Sequence, residues 1–247
     1  MTPRAGRRRI VLMRHGHVDY FAPGLTDPRE AVLTEIGEAQ AAAAAEALAP
    51  LTFDIAVCSG LKRTRRTAEI VLAQNAAPPP LEDEFGLEEL KSGRFYPAKS
   101  RDELAARLAF SFDDAEAPGA TFLPEGELFA EAEARIVTAL ETLCTQRDWR
   151  QALIVAHEGV NRIILGWASG GGLKTIAAFE QDLSCVNVLD LDVVPDEAGA
   201  LRIERVIVKS MNVTPYDLAK HGLPRTALEH LFDVDFGGVR PRETGAP

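Results

Sequence analysis

The chain of 247 residues is 46% hydrophobic and 26% charged, the balance of an ordinary globular protein with a core to bury. Its formal net charge of -10 argues against a nucleic-acid partner, which needs a positive footprint, but a few arginines in one pocket can still reverse the field for a small phosphorylated ligand. Cys58, Cys144 and Cys185 are odd in number and widely spaced in apolar surroundings, which predicts buried free thiols in a reducing compartment and excludes a disulfide or zinc framework.

The basic N-terminus (Arg4, Arg7, Arg8, Arg9) precedes only four apolar residues, too few for the apolar region of a signal peptide. No stretch approaches the roughly 18 apolar residues of a membrane span, so the expectation is a cytoplasmic protein with no membrane partner. Ile10-Val11-Leu12-Met13 reads as a buried strand that releases Arg14, His15, Gly16 and His17 at its carboxyl end. In open α/β sheets ligand chemistry gathers at such ends. From Leu33 an alanine-rich helix follows, with Thr34 as its cap, Glu35 and Glu38 favouring its N-terminal dipole, and Pro50 as its stop. Phe53 to Cys58 is a second apolar strand, followed at once by Ser59 to Thr64 and a helix to about Gln74.

Ala76 to Pro80 reads as a Pro-rich linker, and Leu81 to Gly93 is acidic and of no clear secondary structure. Arg101 to Phe112 has the pattern of an amphipathic helix, and Asp113 to Gly126 is loop-like, broken by Pro118-Gly119 and Pro124. Leu128, Ala132, Ile136, Leu140 and Leu143 space out a long helix over about 127–147. Gln151 to Ala156 is a third buried strand, ending at His157-Glu158-Gly159 before a helix over 160–167. Cys185 to Asp192 and Leu201 to Val208 read as strands paired across the turn at Pro195 to Ala200. A short helix is expected at Thr226 to Phe232, and His221 and His230 read as surface residues of the tail. The alternation predicts an α/β fold in three layers, α/β/α, with a mainly parallel central sheet. A single domain over 1–247 is expected, with a small cap insertion at about 90–125.

Three strand ends thus deliver Arg14-His15, Ser59 to Arg63, and His157. Arginine presents a planar fork of donors that matches phosphate oxygens. A neutral imidazole can attack phosphorus, and a carboxylic acid within reach can protonate the leaving alkoxide. Phosphoryl transfer asks mainly for positioning and charge neutralisation, so side-chain cations can stand in for a metal.

Arg14-His15-Gly16 at the end of a first strand resembles the signature of the histidine phosphatase superfamily, the phosphoglycerate mutase-like fold. Leu33 to Ala41 is similar to that family's Leu-Thr-x-x-Gly-x-x-Gln-Ala helix, Cys58 to Glu69 to its Ser-Pro-Leu-x-Arg segment, and Leu87 to Gly93 to its Leu-x-Glu-x-x-x-Gly block. Ile154 to Arg162 resembles the block of the second histidine, and Asp182 to Val188 a late strand of the phosphatase branch. The blocks stand in family order over about 10–190. The resemblance implies a metal-independent phosphomonoester hydrolase of the histidine acid phosphatase type, needing no cofactor, with a small-molecule phosphate ester as partner and a homo-oligomer left open. It implies His15 as nucleophile, Arg14, Arg63 and His157 as grips on the phosphoryl oxygens, and Glu89 as acid and then base, with Glu88 and Glu84 as alternatives. Gly16 would let the backbone approach the ligand.

Several positions depart from the family's pattern: His17 stands where Glu or Gln is common, Phe21 where many members have Asn, Gly60 for a proline, and Glu158 for a glycine. A mutase that returns the phosphoryl group to its substrate is an alternative. The cap, with Arg94, Lys99, Arg101 and Arg107 among Phe95, Tyr96, Phe110 and Phe112, would decide it and suits a substrate with an organic portion. A second alternative is a zinc hydrolase using the run His15-x-His17-x-Asp19, although Tyr20 follows where that motif has histidine.

Overall fold

The apolar run ahead of Arg14 forms the middle of a longer strand, β1 (Gly6–Arg14), in which Ile10 to Met13 are fully buried. The structure, a computed structural model, describes residues 3–91, 93, 108 and 110–236. After β1 come α1 (Glu35–Leu48), β2 (Ile55–Cys58), α2 (Lys62–Leu72) and β3 (Leu81–Asp83). Then follow α3 (Phe129–Gln146), β4 (Gln151–Ala156), α4 (Glu158–Ser169), β5 (Val186–Pro195), β6 (Leu201–Val213) and α5 (Ala227–Phe232).

The strands form one sheet in the order β3-β2-β4-β1-β5-β6. The first four run parallel, and β5 and β6 form an antiparallel hairpin on the β1 side. A strand buried on both faces must be apolar throughout, and each face finds its own helices. Ile10, Leu12, Ile154 and Ala156 join the core with Ile136, Leu140, Val160 and Ile163 of α3 and α4. Val11, Met13, Leu153 and Val155 meet Ala44, Ala45, Ala68 and Val71 of α1 and α2. The expected three layers are present.

Local signals held where a short-range bond decides the outcome. Thr34 Oγ1 accepts from Gly37 N and caps α1, and Thr226 with Glu229 forms a capping box on α5. The acidic stretch that gave no clear signal contains β3 and a 3-10 turn over Phe85–Leu87. Arg94, Phe95, Tyr96, Lys99, Arg101 and Arg107, with most of the helix expected over 101–112, lie outside the described residues. Phe112, expected to suit an organic part of the substrate, is instead core: it packs 5.3 Å from Phe122 and 6.0 Å from Phe129, centroid to centroid. His221 is exposed, but His230 is half-buried with its Nε2 enclosed, contrary to a surface role. All three cysteines are buried free thiols, and burial pushes Cys58 up to about 11 and Cys144 and Cys185 to about 12. Among the described residues no helix is long and apolar enough to cross a membrane.

Candidate active site

The sheet register brings the two histidines together. Arg14, the last residue of β1, is paired with Ala156, the last residue of β4. His15 and His157 therefore leave adjacent parallel strands side by side, their rings 5.2 Å apart in an edge-on arrangement. His15 is also stitched at its backbone, donating to Ala156 O at 3.2 Å and accepting from Ser184 N at 3.1 Å. β2, on the far side of β4, ends at Cys58 and delivers Ser59, with Arg63 in the first turn of α2. Arg14, His15, Arg63 and His157 are all buried.

The hydrogen bonds fix the proton positions. His15 Nδ1 lies 2.8 Å from the Gly16 carbonyl, which can only accept, so Nδ1 carries the proton and Nε2 the lone pair. Burial, then the charges of Arg63 and Arg14, hold the His15 pKa well below 6.5 and keep the ring neutral. His157 Nε2 is 2.7 Å from Ser59 Oγ, and Ser59 Oγ is 2.9 Å from Thr64 Oγ1. Thr64 gives its one proton to Leu61 O, so Ser59 donates to Thr64 and accepts from His157 Nε2. His157 Nδ1 is left enclosed without a partner.

Both arginines are anchored at one end and unpartnered at another. Arg14 NH1 donates to Gln181 O and pairs with Glu158 Oε2 at 3.0 Å. Arg63 NH1 donates to Pro28 O at 3.2 Å and Arg29 O at 3.4 Å, and its guanidinium lies 5.7 Å from the centre of the Tyr20 ring. The Nε of each arginine is buried with no acceptor. Buried polar groups are nearly always paired. Two cationic guanidinium donors left bare, with both charges acting on the neutral His15, suit an anion, and the lone pair of His157 Nδ1 suits a hydrogen that such an anion carries.

Glu89 follows the 3-10 turn and lies against the first turn of α4, where Oε1 accepts from Leu90 N at 3.0 Å and Oε2 from Gly159 N at 3.4 Å. Burial above all, with the charge of Glu158, raises its pKa against the pull of Leu90 N–H, Arg63 and Arg14. The two alternatives are engaged elsewhere: Glu88 pairs with Arg29 at 3.0 Å, and Glu84 caps its own turn by accepting from Gly86 N at 2.9 Å.

Gly16 is also required by a close approach within the protein. Its N–H donates to Thr67 Oγ1 at 3.1 Å, and a Cβ on it would overlap the Gly37 carbonyl of α1. The approach is reciprocal, since a Cβ on Gly37 would overlap the backbone of His17. Gly37→Ala should therefore push α1 off the loop after His15, lowering stability by about 1–3 kcal/mol in denaturant melts and reducing turnover with it.

The zinc run does not assemble. His17 Nδ1 is bonded to Thr34 Oγ1 at 2.8 Å and Asp19 Oδ1 accepts from Phe21 N at 2.8 Å. Among the described residues no three His, Cys, Asp or Glu side chains gather to hold a metal ion. Tyr20, which carried no sequence signal beyond an aromatic in a loop, lies close enough to Arg63, Arg14, Glu89 and Glu158 to feel their charges.

Residues 10–195 match the family described as the histidine phosphatase superfamily (branch 1). The chain is 32% identical over 163 residues to a metal-independent phosphoserine phosphatase of Arabidopsis thaliana, covering 63% of this chain and 66% of that protein. It is 27% identical over 226 residues to a 2-carboxy-D-arabinitol-1-phosphatase of Triticum aestivum, covering 87% of this chain but 42% of that one. It thus spans less than two thirds of either relative. The solved mycobacterial glucosyl-3-phosphoglycerate phosphatase shares the fold with a TM-score of 0.63 at 23% identity, over 83% of this chain and 99% of that one.

Proposed function

The chain belongs to the histidine phosphatase superfamily, and we propose that it hydrolyses the phosphate monoester of a small metabolite through a phosphohistidine at His15, without a metal. The observation that carries this reading is the pair of bare buried guanidinium donors, Arg14 Nε and Arg63 Nε, whose charges act on a neutral His15. In the first step His15 Nε2 attacks phosphorus and the ester P–O bond breaks. The two guanidinia take charge from the non-bridging oxygens, and His157 Nδ1 accepts from the P–O–H of the monoester monoanion. Glu89 gives its proton to the departing alkoxide, which leaves as an alcohol. In the second step Glu89, now a carboxylate, takes a proton from water as the water oxygen attacks phosphorus. The N–P bond breaks, and His15 and inorganic phosphate are released.

A panel of phosphorylated metabolites, including phosphoserine and sugar phosphates, assayed with and without excess chelator tests the reading. Release of inorganic phosphate from at least one small monoester, unchanged by chelator, is expected. No turnover across the panel, or loss on chelation restored by added metal, would count against it, and isomerisation without phosphate release would point to phosphoryl return.

A further inference from the structure

Two carboxylates flank the first turn of α4 and are treated differently. Glu89 accepts from the backbone amides of Leu90 and Gly159. Glu158 is 4% exposed and charge-paired on both oxygens. Its Oε2 takes Arg14 NH1 at 3.0 Å, and its Oε1 takes Arg162 Nε at 3.1 Å and NH2 at 2.9 Å. Arg162 is itself immobilised: it donates to Ile176 O and Ala177 O, each at 3.2 Å, pairs with Glu180 at 2.8 Å, and sits 4.8 Å from the centre of the Phe112 ring. Arg14 is thus tied through Glu158 to a guanidinium locked in the core.

We propose that Glu158 is a positioning residue that holds Arg14 by NH1 and so presents its free donors to the phosphoryl group without touching substrate. The inference rests on the hydrolase reading above. A long, flexible arginine loses rotamer freedom when it grips an anion, and fixing it beforehand removes that cost from binding. The bare Nε of Arg14 marks the part of the fork that the anchor leaves available.

The same carboxylate bears on the acid. Among the described residues, the charged and titratable groups that act on Glu89 include Arg14 from β1, Tyr20 from the loop after it, Arg63 from α2 and Glu158 from α4. Removing the negative member leaves two guanidinia, so Glu89 should lose its proton at lower pH. A role in packing alone would not move that limb.

The test uses the full chain and inorganic phosphate as probe, with affinity read by titration calorimetry and kcat/KM followed against pH on the best monoester. In Glu158→Gln the Kd for phosphate should rise about tenfold or more, and the alkaline limb should move to lower pH. Glu158→Asp keeps the charge, and with it the pairing to Arg162, but draws the carboxylate back by one methylene. It should weaken phosphate severalfold and leave the limb in place. If Glu158→Gln does not fold, Glu158→Asp decides alone. Wild-type binding in both variants with an unmoved limb overturns the role of Glu158 and spares the hydrolase reading. A wild type that binds no phosphate overturns both.

Discussion

Replacing His15 with alanine should lower kcat/KM on the best substrate by on the order of 10^4-fold or more, because the proposed mechanism passes through a covalent intermediate on this residue. The substitution leaves the anion site standing. Arg14 remains fixed by Gln181 O and Glu158, and Arg63 by the Pro28 and Arg29 carbonyls, with none of these bonds running through the imidazole. Inorganic phosphate should therefore still bind His15→Ala within a few-fold of wild type while turnover disappears. Acid-labile, base-stable phosphate trapped on quenched wild-type protein and absent from the variant identifies the intermediate. Undiminished turnover in His15→Ala would remove the nucleophile from the mechanism.

Glu89→Gln should cost about 10^2–10^4-fold, the range of a positioned general acid, and the loss should depend on the leaving group. An alkyl phosphate needs the proton and should show the full decrease. An aryl ester such as 4-nitrophenyl phosphate departs as a stabilised phenolate and should be nearly unaffected in formation of the phosphoenzyme. The pH dependence follows from the two shifts. His15 must be neutral, and its lowered pKa places the acid limb below histidine's ordinary 6.5. Glu89 must hold its proton, and its raised pKa carries the alkaline limb above the ordinary carboxylate value of 4.5. Activity therefore falls as pH rises through the Glu89 pKa, and that limb should vanish in Glu89→Gln. An identical alkaline limb in the variant would assign it to another group.

The fold and the histidines were legible because both rest on local signals. An apolar run bounded by polar residues marks β1, β2 and β4, and the polar residues after it mark the strand ends that meet at Arg14 and His157. Thr34 announced α1 through a bond that spans one turn. What stayed hidden depends on contacts between segments remote in sequence. The close approach of Gly16 to Gly37 joins two separate elements. The pairing of Glu158 with Arg14 joins the ends of β1 and α4, and nothing in either segment alone requires it. Tyr20 gave no pattern at all. Phe112 illustrates the opposite error, since composition placed it beside polar neighbours in a presumed cap while tertiary packing buried it under Arg162. Of Glu84, Glu88 and Glu89, it is Glu89 whose carboxylate accepts from Gly159 N, a direction that spacing does not encode.

The pairing of Arg14 with Ala156 has a thermodynamic consequence. Neighbouring strands lie about 4.8 Å apart, and the two imidazole rings, at 5.2 Å, keep nearly that separation. Their spacing is thus set by the backbone ladder and owes nothing to a ligand. A slip of one residue would turn His15 to the opposite face, so the same bonds that hold the sheet in register hold its imidazole in place. Such a pocket has little left to organise when an ester arrives. In the proposed reaction, the attraction between the phosphoryl group and the guanidinia would then act on the pentacoordinate state instead of being consumed in assembling the groups that meet it.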